Sequence, residues 1–176
     1  MRISIFLVGL ILAQPLAAAN AGPPDLALFG RGELHYLGFI KVYSARLYVT
    51  SGTPAGKVLD HDRSRCLILE YDVSLSAEDF VRAAETVLKR QHAETTLARV
   101  HKELEQLHSS YRNVKKGDRY RLCYAAMNET TSLELNGSRL ASIPSAEFAQ
   151  IYFGIWLSDR DPIDRKLREQ LLAGTN

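Results

Sequence analysis

Charge of one sign is what this chain has least of. Its 22 lysines and arginines stand against 20 aspartates and glutamates, leaving +2, too small an excess for nucleic acid or anionic lipid to be the main partner. Cysteine is almost absent, with two residues. A single domain of this size buries roughly 70% of its unfolded surface, so neither metal nor disulfide is required to stabilise it. No Gly-x-Ser-x-Gly elbow occurs, and Ser109 and Ser110 fall at a helix end, so a serine hydrolase has little support. Glu105 and His108 form a lone Glu-x-x-His with no second copy, and no metal site is expected. His101 and Glu105 read as a solvated pair, and His35, His61 and His92 are scattered. Gly30-Arg31-Gly32 is too short for a dinucleotide fingerprint and continues as strand, so no cofactor is expected. Repeats and low-complexity segments are also missing.

What is present describes a packed interior. Hydrophobic residues make up 46% and charged residues 24%, the balance of a globular protein rather than a disordered, collagenous or coiled-coil chain. Residues 1–21 read as a signal peptide: Arg2, an apolar run over 3–12, then small residues ending at Ala21. That run is about half the roughly 20 residues that cross a bilayer. The expectation is therefore a periplasmic or secreted protein, with a leader over 22–27, one domain over 28–174 and no membrane span once the signal is removed.

Strand signals lie over 28–34, 39–50 and 65–73, rich in aromatic and β-branched residues. The second has apolar side chains on both faces and is expected to be covered on each side. Ser76 and Asp79 form a capping box before a helix over 77–91. One apolar stripe then runs through Leu97, Val100, Leu104, Leu107 and Tyr111, predicting a second helix from about 93. Alternation returns from 119, and Asn136-Gly137 marks a type I′ hairpin, so the sheet is expected to be largely antiparallel. Ser145 caps a further helix. The last is predicted to start at Asp161-Pro162 and stop near Gly174.

Cys66 and Cys123 both fall in strand segments, as a disulfide or as two buried thiols. Arg31 stands between two glycines among apolar residues. A buried arginine needs an anionic partner, so Arg31 either holds a ligand's anion, pairs with an internal acid such as Glu70, or is exposed.

The order of these motifs resembles the chalcone isomerase-like superfamily, in particular a bacterial exported branch, from about residue 28 to 172. Arg31-Gly32 followed by Tyr43 and Leu47-Tyr48-Val49 resembles its first two strands. Lys116-Gly117-Asp118, Asn136-Gly137, the run YFGIWL over 152–157 and LREQLL over 167–172 resemble the bacterial branch. The resemblance implies an α+β open-faced sandwich, a large antiparallel sheet with helices on one face and a cleft between. Plant members cyclise a phenol onto an enone around an arginine helped by Thr, Tyr, Lys and Asn. Arg31 matches the arginine, but Tyr43, Phe80, Ala83 and Val87 stand at the other positions, so most of the donors to a developing enolate are missing. Another branch binds fatty acids without catalysis. The resemblance thus implies a binder of a small amphipathic anion, with Arg31 and Tyr43 at the head and Phe80 and Val87 on the apolar wall. An isomerase or intramolecular lyase acting on an enone, and a structural or partner-binding domain, are the alternatives.

Overall fold

A computed structural model describes residues 23–174. The proposed signal peptide and Gly22 lie outside the described residues. Six strands form one antiparallel sheet in sequence order: β1 (Ala27–Tyr36), β2 (Ile40–Val49), β3 (Arg65–Tyr71), β4 (Arg119–Ala125), β5 (Thr130–Leu135) and β6 (Ser138–Pro144). Five helices cover one face: α1 (Ala77–Gln91), α2 (Glu94–Arg99), α3 (His101–Ser110), α4 (Ala146–Leu157) and α5 (Arg165–Leu172). This is the open-faced α+β sandwich.

Strand alternation decides which residues meet the helices. Register aligns Ala45 with Leu69 and Tyr120, and Leu47 with Leu67, Leu122 and Leu133, and all of these are buried on the covered face. The opposite parity carries Arg46, Glu70, Arg119, Arg121 and Glu134. These form a ladder of ion pairs, Glu70 with Arg46 and Arg119, and Glu134 with Arg121 and Arg139. The second face of β2 is therefore open rather than covered, because Ser44, Arg46 and Tyr48 keep their polar groups toward water.

Helix ends follow local chemistry. Ser76 and Asp79 complete the reciprocal capping box of α1, and the Ser145 hydroxyl accepts from Phe148 N at 3.1 Å to start α4. The stripe expected as one helix is divided, because Val100 leaves helical geometry with φ −110° and ψ 19° while its side chain stays buried. The last helix begins later than Asp161-Pro162. Asp161 sits at φ +42° with its carbonyl accepting from Gln91, and Ile163 N donates to Ile155 O at 2.8 Å. Asp164 makes the cap instead, accepting from Leu167 N at 2.6 Å.

Among the described residues the fully buried arginine is Arg65, on β3. It donates to the carbonyls of Val58, Asp60 and Arg63 and stacks on Tyr124 and Phe153. It thereby holds the connection between β2 and β3 against the core. Burial lowers its guanidinium to about 10, which leaves it charged at neutral pH.

Cys66 and Cys123 are direct register partners on the open face, with Cα atoms 4.0 Å apart, and are joined as a disulfide. They are separated by 57 positions, and a bridge closing a loop of that length stabilises by up to about 4 kcal/mol on the chain-entropy account. Denaturant unfolding with and without reductant is expected to show a loss on that scale, with no change in the sheet's circular dichroism before the transition. An unchanged midpoint would mean that the bridge contributes nothing.

Candidate functional site

Between the sheet and the helices lies a cavity of about 580 Å³, within the range of small-molecule sites. Its floor is Tyr43, Leu67, Leu69, Tyr71, Tyr120 and Leu122 from β2, β3 and β4. Phe80, Ala83 and Ala84 of α1 and Tyr152, Ile155 and Trp156 of α4 form the roof, and Tyr111 closes one side. Leu34, Tyr36, Ile40 and Val42 border it from the β1–β2 hairpin, with Arg82 and Ile163. The rings brace one another: Tyr71 meets Tyr43, Phe80 and Tyr120 edge-on at 5.5 to 6.1 Å, and Phe80 stacks on Tyr111 at 5.1 Å.

The polar atoms in this wall are mainly hydroxyls, and some of their hydrogen-bonding capacity is unspent. Trp156 Nε1 donates to Tyr43 Oη at 3.0 Å, which leaves the Tyr43 proton available. Tyr111 Oη and Tyr152 Oη lie 2.7 Å apart, so one proton joins them and the second is spare. The Tyr71 backbone pairs with Asp118 and Gly117, while its side chain makes ring contacts and its hydroxyl has no hydrogen-bond partner among the described residues. Tyr120 is used within the fold, accepting from Arg112 N and donating to Arg112 O. Burial pushes the Tyr43, Tyr71, Tyr111 and Tyr152 hydroxyls well above the usual phenol range. They are neutral donors in a medium that disfavours charge.

Of the residues expected from sequence, Tyr43 and Phe80 stand in this wall. Val87 does not. It is buried within the core cluster, one turn of α1 beyond Ala83 and Ala84. Arg31 is exposed on the open face, opposite Arg46 in the register. Its flanking glycines make room for α5 rather than for a guest. A Cβ on Gly30 would collide with the Leu171 carbonyl, and one on Gly32 with Leu167 and Gln170. Since Gly30 and Gly32 face the helix, alternation turns Arg31 away from it. The cation of the expected anion site is therefore outside the cavity, and Arg82 at the rim is largely solvent-exposed.

Sequence reasoning missed Tyr71, Tyr111, Tyr152 and Trp156. The signals for them are the tyrosines at core parity in β3 and β4, the four-residue spacing of Tyr152 and Trp156, and Tyr111 ending the apolar stripe. A second groove of about 630 Å³ between α1, α2 and α3 is bordered by His92, His101 and His108. Among the described residues no three His, Cys, Asp or Glu side chains converge as metal ligands, and no described helix is long and apolar enough to cross a membrane.

A family model described as chalcone isomerase-like matches residues 12–173. No curated protein matches the chain in sequence. Among solved structures, a fatty-acid binding protein of Arabidopsis thaliana, AtFAP1, aligns with a TM-score of 0.65 at 16% identity, covering 88% of this chain and 89% of that one. At that identity the likeness speaks for the fold.

The raised tyrosines have a consequence for alkaline stability. An unfolded chain releases phenolic protons near pH 10, whereas the buried hydroxyls hold theirs. Stability from these groups is full below that pH and is lost as pH rises beyond it. In a spectrophotometric titration, Tyr43, Tyr71, Tyr111 and Tyr152 are expected to ionise only together with loss of near-ultraviolet circular dichroism. Ionisation of all 8 tyrosines near pH 10 with that signal intact would contradict the burial argument.

Proposed function

Because the chain belongs to the chalcone isomerase-like family, whose model spans nearly all of it, we propose that the cavity binds a small amphipathic molecule. A fatty acid or a close analogue, bound without being transformed, is the reading the site supports best. One observation carries this: an apolar chamber whose tyrosine hydroxyls retain unspent protons. An alkyl chain gains about 0.8 kcal/mol for each methylene taken out of water, while a hydrogen bond at the head adds about 1 kcal/mol. The chain therefore supplies the affinity and the hydroxyls set its orientation. The likeness to a protein that binds fatty acids supports the same class.

The head is expected to be an uncharged acceptor, such as an alcohol, a carbonyl or a protonated acid. A carboxylate placed among neutral donors lacks the cation that would offset its desolvation. This revises the anionic head anchored by Arg31. Cyclisation of an enone would need the same missing charge beside a developing enolate, so the binding reading is preferred to an isomerase. A purely structural domain would have no reason to keep a chamber of about 580 Å³ open in its core.

The single tryptophan, Trp156, lies in the cavity wall, so its emission reports occupancy. Titration with palmityl alcohol is expected to be saturable and independent of pH. Affinity for palmitic acid should fall as pH rises through the acid's own ionisation. Tyr71→Phe is expected to weaken the alcohol about fivefold, Ala83→Trp to abolish binding by filling the chamber, and Arg31→Ala to change nothing. Saturation that requires Arg31 or strengthens with carboxylate ionisation would overturn the neutral-head reading.

Export, and with it membership of a bacterial exported branch, is part of the same proposal. It is supported by the character of residues 1–21 and by the disulfide. Terminal sequencing of protein recovered outside the cytoplasm is expected to begin near Gly22. A cytoplasmic protein that retains Met1 would refute it.

A further inference from the structure

Two hairpin turns, one with two residues between the paired strands and one with three, each place a residue and the glycine after it in the left-handed region, with opposite chemistry. Between β5 and β6 the turn is Asn136-Gly137, at φ +52° and +85°. Between β1 and β2 it is Leu37-Gly38, at φ +52° and +80°. Asparagine tolerates the left-handed region through its short polar side chain, whereas leucine is disfavoured there. The leucine is not compensated by burial. Leu37 is 68% exposed and Phe39 75%, with Tyr36 at 61% and Ile40 at 40% beside them. Four adjacent apolar side chains thus project into water from a turn that resists one of them, at a cost to both turn geometry and hydration.

This tip is continuous with the chamber. Tyr36 and Ile40 are exposed at the tip and also border the cavity, with Leu34 and Val42 next to them on the inner side. Neighbouring charges are internally paired: Lys41 with Glu33 at 2.9 Å and Asp72 at 3.3 Å, and Arg82 with Asp79 at 3.9 Å. The patch therefore offers apolar contact without a charge to be matched.

We propose that the β1–β2 hairpin tip docks into the surface of a lipid bilayer and opens the cavity rim toward the hydrocarbon. An amphipathic guest could then enter or leave without crossing water. This rests on the cavity-binding reading and adds where the guest is collected. A small convex apolar tip with an aromatic at each flank suits an interfacial anchor. A second copy of this chain is disfavoured as the occupant, since two such tips, even fully covered, would bury less than the roughly 1,200 Å² at which stable protein interfaces begin.

The test uses protein recovered from expression of the full sequence and vesicles of phosphatidylcholine. The Leu37→Asn, Phe39→Ser variant restores a favourable turn residue, so its thermal midpoint is expected to equal or exceed that of the parent. Flotation with vesicles should fall at least tenfold in the variant, and the parent's binding should be insensitive to salt. Uptake of palmityl alcohol from vesicles, followed by Trp156 emission, should slow to the same degree. Equilibrium binding of the alcohol delivered from detergent should stay unchanged, so a failed cavity would show in that measurement and a failed tip in the flotation. Phe39→Trp should be quenched by brominated phosphatidylcholine. The proposal is overturned if the parent does not float, if the variant floats equally, if salt releases the parent, or if sedimentation shows the tip holding two copies together.

Discussion

The two-residue repeat of the β-strand governs this molecule. Across six paired strands it sends Tyr43, Ala45, Leu47, Leu67, Leu69, Tyr120 and Leu122 to one face and Arg46, Glu70, Arg119, Arg121 and Glu134 to the other. Helices gain free energy only by covering the first set, so all five lie on that side. Large rings at the tip end of β2, β3 and β4 hold α1 and α4 off the sheet there. The smaller side chains of α1, Ala83 and Ala84, complete a hollow instead of filling it. The cavity is the remainder left when bulky aromatics and small helical residues face one another.

Polar groups that enter such an interior must be satisfied or kept neutral. Arg65 follows the first course in part, with three carbonyl acceptors around Nη1 and two aromatic faces against its charge, while Nε and Nη2 lack hydrogen-bond partners. The tyrosines follow the second, their ionisation suppressed by burial while Trp156 and the Tyr111–Tyr152 contact use only part of their capacity. What remains is a set of donors with no charge. This is why the chamber suits a neutral oxygen better than an anion.

Much of the fold was legible in the amino-acid order because its signals are local. The capping box at Ser76 and Asp79, the Asn136-Gly137 turn, the Ser145 cap and the alternation after Arg119 each act within a few residues. Where the reading failed, a distant partner decided. Gln91 and Ile155 hold the segment at Asp161 and Ile163 and delay the last helix to Asp164. The buried Val100 divides a stripe whose periodicity is unbroken in sequence. Of the cavity wall, Tyr43 and Phe80 were singled out from the sequence, but Tyr71, Tyr111 and the Tyr152–Trp156 pair come from three separate segments, and no local pattern announces that they converge.

Arginine marks the same boundary. Sequence alone established that the chain makes an antiparallel sheet backed by helices, where most elements begin, and that Cys66 and Cys123 both fall in strands. It could not say which arginine is buried. Glycines beside Arg31 suggest space around a guanidinium, yet that space belongs to α5, which approaches from the other face, and Arg65 enters the interior. Local propensity and periodicity act over a turn or a strand. Which face a strand presents to the helices, which bulky groups leave a gap, and which hydroxyls keep a spare proton depend on contacts between residues tens of positions apart, and these exist only once the layers have packed.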